Sequence, residues 1–275
     1  MAITVGRVIE CRWRNAGTPI QGVSPATIGA DSTVFPPMSK IFALMPAAGT
    51  GSRMAADLPK QYLPLAGKPL LYHALNSLCR HATVERVFVV LAQADRQFAQ
   101  HDWQPFAARL EPLYCGGETR AASVFNGLLA ARDEISAEDW VLVHDAARPC
   151  LAAEVLERLI TSLRGEQTGG LLALPVVDTL KRSDADACVV QTEPRENLWL
   201  AQTPQMFRYR LLLEALRAVD PALATDEARA IEQLGLRPKL VPGDARNLKV
   251  TYPQDLALAE VILKSMEPPI KAVNE

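Results

Sequence analysis

From Ser39 onward the chain alternates between short, uninterrupted apolar runs and longer stretches in which apolar residues recur every three or four positions. Ile41–Met45, Val87–Leu91, Trp140–His144 and Leu171–Leu174 have strand length and are rich in Val, Ile and Leu without polar alternation, the pattern of strands buried on both faces. Helical periodicity runs through Pro69–His81, Arg120–Arg132, Ala152–Arg164, Tyr209–Val219, Asp226–Leu234 and Pro253–Lys264. Strands and helices in alternation predict an α/β, doubly wound domain on a parallel sheet. Val176–Trp199 departs from this rhythm. It mixes Asp178, Asp184, Asp186 and Glu193 with β-branched residues and Pro194, and reads as an exposed hairpin arm rather than a unit of the core.

Residues 1–37 lack sustained periodicity, are punctuated by Gly, Pro, Ser and Thr, and end in Phe35-Pro36-Pro37, so a disordered extension is expected there. A secretory signal would need an apolar core of about 7–15 residues, and a transit peptide would avoid acids such as Glu10 and Asp31. Met38 follows the two prolines and is an alternative start for the native chain. Residues 38–266 read as one domain with its arm at about 176–199, and residues 267–275 as a flexible tail.

Composition narrows the function classes. With 29 Lys plus Arg against 31 Asp plus Glu, a net charge of -2 excludes the strongly basic surface that coats nucleic acid. No apolar run approaches the roughly 18 residues of a spanning helix, which argues against a membrane protein. The five cysteines, Cys11, Cys79, Cys115, Cys150 and Cys188, form no CxxC pair and fit reduced thiols in a cytoplasmic protein. His73, His81, His101 and His144 lack an i,i+4 metal-binding pair, so no histidine-built metal centre is expected.

The first strand leads into Pro46-Ala47-Ala48-Gly49-Thr50-Gly51-Ser52-Arg53-Met54, then Pro59-Lys60-Gln61-Tyr62. Small residues at that point let backbone N–H groups approach an anion, and Arg53 and Lys60 add charge suited to a triphosphate. No Gly-Lys-Ser/Thr follows, and Met54 stands where the dinucleotide fingerprint needs glycine. A tight strand-to-helix connection is the alternative for such a loop. Gly116-Gly117 opens the helix from Arg120 and allows close approach of a flat base, with Ser123 one turn in; a simple cap accounts for the same residues. Asp145 closes a strand in His144-Asp145-Ala146-Ala147-Arg148-Pro149, where a magnesium ion bridging phosphates would sit, or where it would cap a helix. Later loops gather Thr179 and Lys181, Arg195, Thr203, Thr225-Asp226-Glu227 and Asn247-Leu248-Lys249-Val250-Thr251, a composition suited to a phosphorylated, hydroxyl-rich molecule.

Taken in order over about Ser39 to Lys264, these motifs resemble the 2-C-methyl-D-erythritol 4-phosphate cytidylyltransferases, enzymes of non-mevalonate isoprenoid synthesis. The resemblance implies a three-layer, Rossmann-like nucleotidyltransferase fold of the nucleotide-diphospho-sugar transferase type with a protruding β-arm. It implies transfer of CMP from CTP to methylerythritol phosphate with release of pyrophosphate. By matched position, Arg53, Lys60, Arg195 and Lys249 would be catalytic, and Ala47, Ala48, Gly49, Gly116, Gly117 and Ser123 would line CTP. Arg148, Thr179 and Thr203 would contact the second substrate, and Asp145 would hold magnesium. The arm implies a homodimer in which Thr179 and Arg195 serve the neighbouring site. Ribitol 5-phosphate cytidylyltransferase shares the CTP motifs and stays open as an alternative, as does a nucleotide-binding domain without catalysis.

Overall fold

A computed structural model describes residues 39–49, 58–220 and 223–266. The expectations for residues 1–37 and 267–275, and for Arg53, lie outside the described residues. The elements run β1 (Ile41–Pro46), β2 (Pro64–Leu65), β3 (Lys68–Pro69), α1 (Leu70–Cys79), β4 (Val84–Val90), β5 (Leu110–Leu113), α2 (Arg120–Ala130), β6 (Trp140–Val143) and α3 (Ala153–Leu163). They continue with β7 (Gly170–Pro175), β8 (Leu180–Ser183), β9 (Val189–Glu193), β10 (Trp199–Arg208), α4 (Tyr209–Ala218), α5 (Glu227–Gln233), β11 (Lys239–Pro242) and α6 (Pro253–Met266).

Seven strands form one sheet in the order β11-β7-β10-β6-β1-β4-β5. Its pairings are parallel except at β10, which runs antiparallel to both β6 and β7. The sheet is therefore mixed, and the all-parallel expectation is corrected at its centre. The run Gln202-Thr203-Pro204-Gln205 looks unlike a central strand because proline cannot donate to a ladder. The structure accommodates it at a register shift between Ala201 and Gln205, with a cis Thr203-Pro204 bond.

Side chains alternate across the pleat, so each face of β1 feeds a different core. Ile41, Ala43 and Met45 pack with α1 and α3, whereas Phe42 and Leu44 pack with α2, α4 and α5. The result is a three-layer α/β/α domain. A smaller cluster ties α6 to Leu65, Leu70, Cys150 and Val250. Among the described residues β8 and β9 pair only with each other, in a two-stranded ribbon apart from the main sheet. Around this ribbon and its root, Val177, Val189, Val190 and Leu200 are all more than half exposed. Among the described residues no helix is long and apolar enough to cross a membrane.

Candidate active site

The carboxyl ends of β1, β5, β6 and β11 release the segments that carry the candidate chemistry, as open α/β sheets generally arrange their ligand sites. Beyond β1, the Ala47 N–H donates to Val90 at 2.8 Å, and the Gln61 amide donates to the Ala47 carbonyl at 2.8 Å. Gln61 is buried, so this side chain sets the start of the small-residue loop from below. The Lys60 Nζ donates to the Val250 carbonyl at 2.9 Å.

Ala48 and Gly116 face each other across the base of this loop pair. A Cβ on Gly116 would lie 2.3 Å from the Ala48 Cβ and 2.8 Å from the Leu91 carbonyl oxygen, and one on Gly117 would lie 2.6 Å from the Ala122 Cβ. Only glycine fits at either position. Ser123 Oγ accepts from the Gly117 N–H at 3.1 Å and lies 3.0 Å from the Thr119 carbonyl oxygen. Thr119 itself caps α2, accepting from the Ala122 N–H. The Ser123 hydroxyl thus shapes the glycine loop.

At the end of β6, Asp145 is buried, with one cation on each carboxylate oxygen. Arg120 Nε donates to Oδ1 at 2.8 Å, and Lys249 Nζ reaches Oδ2 at 2.6 Å. Burial alone would raise the Asp145 carboxyl; the Arg120 and Lys249 charges outweigh it and hold the group well below the usual carboxylate range. Arg120 also donates through Nη1 and Nη2 to both oxygens of Glu227, at 2.6 and 3.0 Å. Glu227 is wholly buried, which pushes its carboxyl up, while the Arg120 fork opposes the shift. Glu227 belongs to the Thr225-Asp226-Glu227 segment picked out in the sequence, but nothing there pairs it with Arg120.

Behind Asp145 lies a buried polar knot. The Asp145 N–H donates to the Thr203 hydroxyl at 3.0 Å, and that hydroxyl also meets His144 Nδ1 at 3.0 Å. His144 Nε2 lies 3.1 Å from the Arg148 carbonyl oxygen; burial lowers the imidazole to about 4, so the ring is neutral at physiological pH. Arg148 donates to the carbonyls of Asn247 at 2.6 Å and Ala201 at 3.4 Å, and burial lowers its pKa. Its Nε has no hydrogen-bond partner among the described residues. Asn247 donates to the Thr203 carbonyl at 2.8 Å and so anchors the loop that carries Lys249.

Arg148, Asp145, Thr203 and Lys249 therefore form one neighbourhood, linked through the Val250 carbonyl to Lys60. Thr179 and Arg195 do not join it within this chain. Both line a separate hollow of about 370 Å³ on the arm with Thr192, Glu193, Pro194 and Glu196, and the Arg195 guanidinium donates to the Val177 carbonyl.

The donor set answers whether magnesium fits. Among the described residues no cluster of three or more His, Cys, Asp or Glu side chains could hold a metal by itself. Asp145 is one ionised carboxylate whose Oδ2 partner, Lys249, is 42% exposed. One carboxylate fits a magnesium ion that arrives with phosphate oxygens and keeps its waters, rather than a cage built from protein.

Residues 41–265 match the family model described as 2-C-methyl-D-erythritol 4-phosphate cytidylyltransferase. The enzyme of that name from Nitrosospira multiformis is 60% identical over 230 residues, covering 83% of this chain and 99% of the relative. The one from an Azoarcus species is 57% identical over 224 residues, covering 82% and 94%. Among solved structures, a 4-diphosphocytidyl-2C-methyl-D-erythritol synthase aligns with a TM-score of 0.73 at 42% identity, covering 82% of this chain and 98% of that one. The Francisella tularensis 2-C-methyl-D-erythritol 4-phosphate cytidylyltransferase aligns at 0.69 with 34% identity, covering 82% and 100%. On this match and this geometry, the chain belongs to the 2-C-methyl-D-erythritol 4-phosphate cytidylyltransferase family.

Proposed function

We propose that this protein transfers CMP from CTP to 2-C-methyl-D-erythritol 4-phosphate in isoprenoid precursor synthesis, with Lys60, Asp145 and Lys249 at the centre of the site. The observation that carries the reading is Asp145 held between Arg120 and Lys249 beside the Ala48–Gly116 contact, inside a family match over residues 41–265. A phosphate oxygen of methylerythritol phosphate attacks the α-phosphorus of CTP in line. One P–O bond forms, the bond to the β-phosphate oxygen breaks, and pyrophosphate leaves with that electron pair. Positioning and charge stabilisation supply the catalysis, without a covalent enzyme intermediate.

Ala47, Ala48, Gly49, Gly116 and Gly117 form the narrow backbone-lined part of the cleft, where a pyrimidine nucleotide approaches closely. Lys60, with Arg53, faces the charge that accumulates on the triphosphate. Arg148 and Lys249 face the incoming polyol phosphate, and Thr203 seats Asp145. Magnesium bound with CTP at Asp145 would supply neutralisation of the phosphate oxygens. The exposed apolar ribbon supports a homodimer in which Arg195 and Thr179 complete the neighbour's cleft. Cys79, Cys150 and Cys188 are free thiols, which suits a reducing cytoplasm.

Pyrophosphate release from CTP, measured in parallel with methylerythritol phosphate and ribitol 5-phosphate as acceptors, tests the reading. Faster turnover of the first is expected; preference for ribitol phosphate, or no release with either, would overturn it.

A further inference from the structure

The buried Arg120–Glu227 pair breaks a local rule. Arg120 is the first residue of α2, where the helix dipole disfavours a cation, and it points at a carboxylate on another element. Such violations concentrate where a chain serves function rather than local stability. Glu227 is not needed to cap its own helix either: Asp226 caps α5 by accepting from the Arg229 N–H at 2.8 Å. What Glu227 does is fix both terminal nitrogens of Arg120, which leaves Nε as the donor to Asp145 Oδ1. A guanidinium is planar, so three bonds in one plane define its orientation and that of the carboxylate it holds.

The two cations on Asp145 then differ in kind. Arg120 is locked from beneath, with its side chain 25% exposed, whereas Lys249 sits on a loop at 42% exposure. We propose that Arg120, clamped by Glu227, is a positioning residue that fixes Oδ1 of Asp145 and leaves Oδ2 as the one exchangeable edge offered to a metal–nucleotide complex. The clamp deepens the cytidylyltransferase reading and rests on it. It also assigns a task to the Glu227 carboxylate, which reaches the reaction only through two intermediaries.

The test replaces the pair with apolar residues of similar reach, Arg120→Met with Glu227→Met, so that neither partner is left as an unpaired buried charge, while Lys249 stays on Asp145. Thermal unfolding reports folding, electron paramagnetic resonance of Mn²⁺ titrated in the presence of CTP reports the metal–nucleotide complex, and calorimetry with CTP in EDTA reports the nucleotide alone. The expected result is a folded variant with unchanged metal-free CTP affinity, and with Mn²⁺–CTP affinity and kcat each lowered by about 10–100-fold. Mn²⁺–CTP affinity and kcat equal to those of the unaltered enzyme would overturn the proposal. If the double variant fails to fold, Arg120→Lys keeps the charge, loses the three-way fork, and is read by the same two outcomes. The Mn²⁺–CTP measurement needs no polyol phosphate, so it decides this proposal even if the unaltered enzyme proves to use another acceptor.

Discussion

The Lys60 ammonium donates to the carbonyl of Val250, one residue beyond Lys249, at 2.9 Å. Residues 190 positions apart are thus in contact, and the loop assigned to the triphosphate touches the loop assigned to the polyol phosphate. The two lysines nevertheless have separate partners, since Lys249 pairs with Asp145. Their substitutions should separate kinetically. Lys60→Ala should lower kcat by about two orders of magnitude, the scale of one lost transition-state donor. Lys249→Ala should raise KM for methylerythritol phosphate and leave calorimetric CTP affinity in place. Lost CTP affinity in the Lys249 variant would contradict its assignment.

The Ala48–Gly116 contact leaves no room for a methyl group. Gly116→Ala should therefore push the two loops apart, weaken CTP binding by about tenfold or more, and destabilise the fold by roughly 1–3 kcal/mol through overpacking. Equilibrium dialysis with CTP and urea unfolding measure the two effects. A variant with unaltered CTP affinity would remove this contact from the nucleotide site.

If Arg195 works in the partner's cleft, two inactive variants should rescue each other. Lys60→Ala and Arg195→Ala chains, mixed and allowed to exchange, would form dimers in which one site carries both defects and the other carries neither. Activity should rise to about a quarter of the unaltered level in an equimolar mixture, given random pairing of a twofold dimer. A mixture no more active than its components places Arg195 in its own chain's site or outside catalysis.

Burial pushes the Cys79 thiol from 9.0 up to about 12, with Arg109 opposing the shift. Above pH 9 the unfolded chain releases this proton while the folded chain keeps it. Stability from this group is therefore complete below pH 9 and is lost as pH rises toward 12. Cys79→Ala should flatten the alkaline fall in unfolding free energy, by roughly 1–2 kcal/mol between about pH 9 and 10.5. An unchanged slope in guanidinium titrations would show that another group governs it.

Much of the domain was legible because its signals are local. The helices at Leu70–Cys79, Arg120–Ala130, Ala153–Leu163, Tyr209–Ala218, Glu227–Gln233 and Pro253–Met266 each show an apolar stripe, and they fall within two residues of the periodic segments. β5 and β10 were not legible, because Pro112 and Pro204 interrupt them. β5 tolerates proline as an edge strand and β10 does so at its register shift. Gly116, Gly117, Asp145 and Lys249 could be picked out because their residue types suit phosphate and base chemistry at strand ends. Arg120 could not, and Glu227 was visible only within Thr225-Asp226-Glu227, without its partner. Their pairing joins residues 107 apart, and an arginine at a helix start reads as a surface charge until the opposing helix is placed against it. Ser123 has a task that its sequence position does not show: its hydroxyl also holds the glycine loop by accepting from the Gly117 N–H.

The shift between Ala201 and Gln205 bears on how force passes through the molecule. Before it, β10 pairs with β7 at Trp199 to Ala201, the root of the arm; after it, β10 is laced into β6 and β7 deep in the sheet. Residues 202–204 between these ladders are held by side chains instead, including the Thr203 contact with Asp145 and the Gln202 contacts with the 244–247 loop. A join of this sort couples the root of the arm to the residues that seat Asp145 rather than to the ladder of the sheet. A tug on the arm would accordingly reach the Asp145 carboxylate while leaving the core in register.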